Sequence, residues 1–428
     1  MKTILITLLS LFSLSATFAQ QSTLLENYRK MALDYNHTLK AAEKNITASM
    51  ELEKSARTNR KPQISGNASF KYTGNPTELS LNLPALGHPV TFRGNNESYG
   101  LSASLMQPVY TGGQVLESIR LAQHRHSLAM NESAMVRSAV CYQTDIQYWN
   151  TIARNEIKGV ATDFYKSVLA LVKNIQERVE AGLIDPQELL MAEVKLNEAK
   201  YQVLQAESDF ETGRMALNSL LGLELQNPTE LDTLIPMPAI EDSLLLLTGM
   251  NRPEIRMARD QISIAESTLK IKDANYKPQL YVGVDGSYSS PGYNFRQDMD
   301  PNYAAYAKLS IPVFEWGKRR SEKRASTEQV GMATDQLNQV ADEVSLEVQT
   351  AKVALLQALE RVVLSSSSLD KAHENENKAL ERYYEGKISL VEVIDAQTYR
   401  QTAQLNDVQA RTAAQYHYSD LVRALDAY

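Results

Sequence analysis

Cysteine occurs once in the 428 residues, as Cys141, so no internal disulfide can form and no Cys/His spacing suggests zinc. Its expected place is that of a small apolar residue on a helix. Long apolar runs are missing too. Past residue 20 nothing approaches the ~18 apolar residues a membrane-crossing helix needs, and the strongest run is Leu244–Leu247. Nor is there an excess of positive charge: 44 Lys and Arg against 51 Asp and Glu give a net charge of −7, which implies no surface for nucleic acid. The mean hydropathy is −0.34. Histidines number six, and the one close pair, His124 and His126, stands at i, i+2, where helical side chains do not face each other. Nucleophile elbow, phosphate loop and metal-ligand spacing are all missing, so the residues point to no enzyme, no cofactor and no metal. Proline is absent between Pro108 and Pro186 and again after Pro312. That last absence leaves room for very long helices.

What is present begins with "MKTILITLLSLFSLSATFAQ": Lys2, an apolar core from Ile4 to Leu14, and the small residues Ala16, Thr17 and Ala19. This order predicts a secretory signal peptide over residues 1–19, cut after Ala19. The core is too short to span ~30 Å of hydrocarbon, and no Cys follows it to carry a lipid anchor. An exported chain without a spanning helix either stays in the periplasm or crosses an outer membrane through β-strands.

The halves of the chain repeat. "SLMQPVYTGGQVL" (104–116) and "KLSIPVFEWGKRR" (308–320) share Pro-Val-aromatic and a following Gly, with Gly113 and Gly317 204 residues apart. "RVEAGLIDPQELLMAE" (178–193) and "RYYEGKISLVEVIDAQ" (382–397) place Gly182 and Gly386 at the same offset. Upstream, "KPQISGNASFKY" (61–72) and "KPQLYVGVDGSY" (277–288) stand 216 apart. The difference falls between Lys-Pro-Gln and Pro-Val-aromatic, so it is a difference of loop length. Each copy reads helix, strand, loop, strand, long helix, turn, helix.

Alternation with period two marks the strands. Ile64, Ala68, Phe70 and Tyr72 alternate with Ser65, Asn67, Ser69 and Lys71; Leu280, Val282, Val284 and Tyr288 alternate with Tyr281, Gly283, Asp285 and Ser287. Returning strands set Leu101, Ala103 and Leu105 against Ser102 and Ser104, then Ala305, Ala307, Leu309 and Ile311 against Lys308 and Ser310. The pattern fits a membrane barrel, and it fits a soluble hairpin equally. Residues 73–98 and 289–302 read as exposed loops. From Gly113 to Gly182 and from Gly317 to Gly386 run two helical patterns of about 70 residues, ~100 Å each. Their apolar positions, Val160, Phe164, Val168, Leu171 and Ile175, then Val344, Leu346, Val348, Val353, Leu356 and Leu359, give amphipathic coiled-coil surfaces.

Four strands cannot close a barrel, and lipid-exposed sheet edges are forbidden, so transmembrane strands would require several chains. In this order of parts the sequence resembles the TolC-like outer-membrane efflux proteins, over about Leu24 to Tyr428. The resemblance rests on "QPVYTGG" and "IPVFEWG", on "AGLIDPQELL" and "GKISLVEVIDAQ", and on the duplication. It implies a mainly α fold with membrane β: a homotrimer whose 12-stranded outer-membrane β-barrel, four strands per chain, continues into a long periplasmic α-helical barrel. Expected boundaries are a first repeat at 20–230 (strands about 62–72 and 99–109, helices 113–181 and 187–222), a linker at 231–250, and a second repeat at 251–428 (strands about 278–288 and 303–313, helices 317–385 and 390–426). Pro108 and Pro312 are expected to end the strand ladders, with Gly113 and Gly317 at the bends into the helices.

The same resemblance implies a passive exit duct for small molecules in the outer membrane. It is fed by a periplasmic adaptor (membrane fusion) protein and an inner-membrane pump, and embedded in outer-membrane lipid. Ala181, Gly182, Leu183 and Ile184, with Glu385, Gly386, Lys387 and Ile388, match the tips that meet the adaptor. Glu392 and Asp395 match the acidic constriction. Glu188, Tyr383 and Lys387 are latch candidates; where the second tip of the family often has Arg after the turn, this chain has Ile388. A periplasmic coiled-coil tether, a metal-efflux duct and a protein-secretion duct are the alternative readings, and the long helices argue against a general porin.

Overall fold

The computed structural model describes residues 21–82, 84, 87–240, 246–292 and 298–428. The expected signal peptide lies outside them, as do parts of the expected loops and of the linker. In chain order the described elements are α1 (Gln21–Tyr35), α2 (His37–Thr58), β1 (Gln63–Tyr72), β2 (Glu78–Leu81), β3 (Val90–Arg93), β4 (Glu97–Tyr110), α3 (Gln114–Glu180) and α4 (Pro186–Leu221). They continue with α5 (Pro253–Ala274), β5 (Gln279–Ser290), β6 (Asp300–Ser310), α6 (Lys318–Tyr384) and α7 (Leu390–Leu425).

The duplication is carried into the element boundaries. α3 and α6 are both 67 residues long, and α4 and α7 both 36, with every boundary displaced by 204. α2 and α5 match at a displacement of 216, as do the starts of β1 and β5. Local departures from expectation occur, among them β6, which runs three residues ahead of the expected 303–313. The first copy has an additional short helix, α1, separated from α2 at Asn36, whose side chain accepts from the Leu39 N–H. Residues 73–98 were expected to be loop throughout, yet Ser80 and its neighbours pair with β3 as a two-stranded hairpin. Leu79 faces Phe92 across it, so the apolar alternation there is short but real.

The chain divides into two compact units: Met1–Lys44, Asn131–Arg256 and Asn338–Tyr428 in one, Asn45–Met130 and Met257–Leu337 in the other. The second holds an antiparallel four-stranded sheet in the order β1-β4-β5-β6. Its register aligns the alternations. Ile64 faces Leu105, Ala68 faces Leu101, Leu105 faces Val284 and Val284 faces Ala305, which makes one continuous apolar face. Ser65, Ser104, Asp285 and Ala304 are likewise in register on the opposite face, where Ser, Asn and Asp predominate. Ser104 donates to the Asp285 carboxylate there, and the Tyr306 ring covers Gly283. The apolar face is bare: Ile64 is 77% exposed and Phe70 69%.

Pro312 lies two residues beyond β6, as a ladder-ending Pro should. Pro108 does not end its ladder. It faces Tyr281 inside β4, with a bulge before Tyr110. The pairing of β4 with β1 has already finished at Met106, so the missing N–H faces no partner strand on that side, and the bulge absorbs the ring.

In the helical unit, Tyr148, Trp149 and Ile152 of α3 pack with Tyr28, Leu217, Ile235 and Val408. Ile235 belongs to the expected linker, so that segment is partly core. Asp145, buried, accepts two bonds from Arg29 at 2.6 Å and one each from Ser419 and Tyr428, tying α1, α3, α7 and the last residue together. Arg411 makes a matching pair with Glu156, whose carboxylate also accepts from the Ile235 N–H. Cys141 is buried, as expected, and burial pushes its thiol up.

The stripes on the long helices separate on inspection. Phe164, Val168, Leu171 and Ile175 are all buried. In the second copy Val344 and Val348 are buried while Leu346, Val353 and Leu356 are exposed. The latter residues lie on a second seam of α6, which the expectation merged with the first. On α4, Leu190, Val194, Tyr201 and Leu204 are exposed at steps of four, seven and three residues in the same manner.

Candidate functional site

Both helical turns use one construction. At the end of α3, Gly182 adopts φ 72°; its N–H reaches the Val179 carbonyl and the Leu183 N–H reaches that of Arg178, both at 2.9 Å. Gly386 ends α6 with the same φ and the same pair of bonds, to Tyr383 and Arg382. This is the Schellman closure, which needs a left-handed residue and so selects Gly. Three residues later stand the caps of new helices. Asp185 caps α4 by accepting from the Gln187 N–H at 2.8 Å, with Pro186 at the first helical position.

Ser389 caps α7 in a full capping box. The Ser389 N–H and hydroxyl donate to Glu392 Oε2 at 2.8 and 3.0 Å, and the Glu392 N–H donates to Ser389 Oγ. Those bonds, the backbone one foremost, hold the Glu392 carboxyl below its usual range. The expected constriction pair is therefore unequal. Glu392 is engaged in its own helix start, while Asp395, also exposed, makes no ion pair among the described residues.

The turns close over an apolar cluster of Phe164, Val168, Leu171, Ile175, Ala192, Leu390 and Val393. Ile184 and Ile388 tuck partly into it, whereas Leu183 stands 69% exposed and Ala181, Glu385 and Lys387 are exposed. Tyr383, at 4% exposure, is the polar member. Its hydroxyl donates to Glu188 Oε2 at 2.9 Å, joining the end of α6 to the start of α4. The Arg178 guanidinium lies over its ring at 5.3 Å. Burial, then the bond to Glu188 and that carboxylate's charge, push the phenol well above its ordinary value. Tyr383 and Glu188 are thus brought together. Lys387 is not part of that contact: its ammonium pairs with Glu385 on its own turn at 2.7 Å. A two-residue separation leaves it nearer to Glu385 than to any acid across the tip.

Sequence reasoning missed a polar layer in the same helices. Glu376 of α6 is buried and pairs with Arg400 of α7 at 2.8 Å. Ser167 of α3 donates to Glu376 and accepts from Gln397 at 3.0 Å, and Gln401 donates to Gln202 of α4 at 2.6 Å. Burial raises the Glu376 carboxyl, with Arg400 opposing. The available signal was Gln397 and Gln401 at i, i+4 on the buried face of α7. Among the described residues no group of three or more His, Cys, Asp or Glu could hold a metal ion, and no helix is long and apolar enough to cross a membrane.

A family model described as outer membrane efflux protein matches residues 28–223 and 246–427. The chain is 24% identical over 384 residues to the toluene efflux pump outer membrane protein TtgI of Pseudomonas putida, covering 86% of this chain and 77% of that one. To the cobalt-zinc-cadmium resistance protein CzcC of Cupriavidus metallidurans it is 22% identical over 304 residues, covering 69% and 70%. Among solved structures, the outer membrane protein VceC of Vibrio cholerae superposes with a TM-score of 0.79 at 16% identity, over 95% of this chain and 97% of that one. The open state of the Neisseria gonorrhoeae MtrE outer membrane channel gives 0.76 at 18%, over 94% and 89%.

Proposed function

The chain belongs to the outer membrane efflux protein family, and on that premise we propose that three copies form the outer-membrane exit duct of an efflux assembly, carrying small toxic molecules outward. The observation that carries the reading is the bare sheet. One face is apolar across all four strands, the other is polar, and among the described residues β1 and β6 are each paired on one side only. In hydrocarbon each unpaired backbone group costs several kcal/mol. The edge β6 of one copy meeting β1 of the next removes that cost, and three copies give twelve strands, enough to close. The apolar face then meets lipid and the Ser/Asn/Asp face lines the passage.

The exposed seams on α4 and α6 support the same assembly, since heptad-like stripes left bare in one chain are suited to another helix. The tips carry the remaining roles. Ala181, Gly182, Leu183 and Ile184 with Glu385, Gly386, Lys387 and Ile388 are the surface offered to a periplasmic adaptor, behind which an inner-membrane pump supplies the energy. The Tyr383–Glu188 bond is the latch, and Asp395, with Glu392 beside it, forms the acidic ring. The names of the relatives include toluene efflux, which fits the small-molecule reading, and cobalt-zinc-cadmium resistance, which fits the alternative of a metal-efflux duct. Light scattering of the detergent-extracted protein, with detergent subtracted, tests the assembly. Three chains per particle, released only by detergent, is the expected result. A monomer extracted in plain buffer would replace the duct with a periplasmic tether.

A further inference from the structure

The two strand-to-helix junctions share a left-handed pair before the helix, Gly112–Gly113 and Trp316–Gly317, but have opposite surfaces. Position by position, "YTGGQVLESIR" (110–120) stands opposite "FEWGKRRSEKR" (314–324). In the first copy Ile119 is buried and the one cation, Arg120, is paired with Glu117. In the second, five cations fall within seven residues, Lys318, Arg319, Arg320, Lys323 and Arg324, and all are exposed. Arg319 pairs with Asp273 at 3.0 Å and Lys318 lies 3.9 Å from Glu322. Arg320, Lys323 and Arg324 make no ion pair among the described residues. At helical spacing these three share one arc of about 100°, with Lys323 at its near edge, one turn beyond Arg319, and Arg320 and Arg324 turned further from it. Directly before them Phe314 and Trp316 stack edge to face at 4.9 Å, with Trp316 89% exposed.

The backbone adds a second, independent observation. Gly112 is left-handed in the first copy, φ 64°, and Trp316 occupies the corresponding position at φ 51°. A side chain with a Cβ is strained in that region, whereas Gly is not. The second copy holds an indole, exposed, where the unstrained choice is glycine.

We propose that this junction is a binding site for anionic phospholipid headgroups of the periplasmic leaflet, with Trp316 and Phe314 in the interfacial layer and Arg320, Lys323 and Arg324 on the phosphates. The site rests on the membrane reading of the sheet, because it begins a few residues past Ser310, the last residue of β6. Exposed aromatics at that level and cations just beyond it are what a membrane boundary selects. A second copy of the chain is the weaker occupant. The strand it would bring beside β6 is β1, and the residues leading into β1, Arg60 and Lys61, are exposed and of the same sign.

The test uses the full mature chain in proteoliposomes, in a Trp149→Phe background so that Trp316 is the only indole. Its fluorescence is titrated with brominated phosphatidylglycerol or brominated phosphatidylethanolamine. The expected result is quenching that favours phosphatidylglycerol, that weakens at high salt, and that loses about fivefold in preference for each of Arg320→Gln, Lys323→Gln and Arg324→Gln. Trp316→Gly relieves the left-handed strain, so it should fold at least as well while retaining less phosphatidylglycerol through purification. Equal quenching by both lipids overturns the headgroup site. An inserted protein with no quenching overturns it in favour of a face covered by a second copy. A chain that never enters the vesicles refutes the membrane reading itself, and is distinguished by flotation.

Discussion

Tyr383→Phe removes one hydroxyl and leaves the ring, which keeps its place in the apolar cluster and under Arg178. What is lost is the 2.9 Å bond to Glu188. A hydrogen bond to a charged group contributes about 1.5–3 kcal/mol. Glu188 is only half-buried and regains water, which reduces the cost to ~1–2 kcal/mol per chain. If three copies open together, the shift is ~3–6 kcal/mol, or about a hundred- to ten-thousand-fold in the ratio of open to closed channels. Single-channel recording in planar bilayers should show a much larger open fraction for Tyr383→Phe and for Glu188→Gln. Lys387→Gln, which breaks only the exposed pair with Glu385, should change the open fraction little. Were Tyr383→Phe to lower the unfolding temperature yet leave the open fraction at the wild-type value, the bond would be structural and the latch would lie elsewhere.

The acidic pair offers a graded comparison: Asp395→Asn should shift the reversal potential towards anions more than Glu392→Gln, because the Glu392 carboxylate is already bound to Ser389. Since the Glu392 carboxyl is held low in the folded chain, its contribution is present above the ordinary carboxylate value and lost as pH falls through the lowered one. Protection against hydrogen exchange at the first turn of α7, taken relative to the free-peptide rate at each pH, should therefore fall at acid pH, and Glu392→Gln should flatten that dependence. Asp145→Ala leaves Arg29 without its partner in a mostly buried site and should cost about 3–5 kcal/mol, read as a lower unfolding temperature. Asp145→Asn, which keeps hydrogen-bond acceptors for Ser419 and Tyr428, should cost less.

Much of the fold was legible because its signals are local and were written twice. Helix ends fell within about one residue of expectation, since Gly182 and Gly386 need a left-handed closure that few other residues supply. Strand faces were legible because period two survives any change of register by two. The misreadings have physical causes. Pro108 lacks a donor, which the sequence shows, but whether a donor is needed depends on where the neighbouring strand stops, which it does not. The short hairpin of β2 and β3 lies among turn residues, and four-residue strands give too few alternations to stand out. At the tips, the resemblance pointed to Glu188 and Tyr383 without saying that they touch. It could not foretell that Glu392 caps its helix, although Ser389 three residues earlier is a capping-box pattern.

The long helices show a subtler limit, and it bears on why the two copies kept step. A residue list at mixed three- and four-residue spacing cannot say whether one stripe or two is present, because two seams on one helix interleave. Val344 and Val348 serve the seam within the chain; Leu346, Val353 and Leu356 serve another that one chain leaves empty. A helix with two seams has a neighbour on each side, and neither neighbour can gain or lose residues without breaking register along its whole length. Helices under that constraint keep identical boundaries, as α3 with α6 and α4 with α7 do at a displacement of 204. The segments between strands carry no such register and have drifted in length. At Gly112 packing also fixes the residue, because a Cβ there would come within 2.7 Å of the Ala274 carbonyl and of Lys277, whereas Trp316 at the matching left-handed position stands in the open.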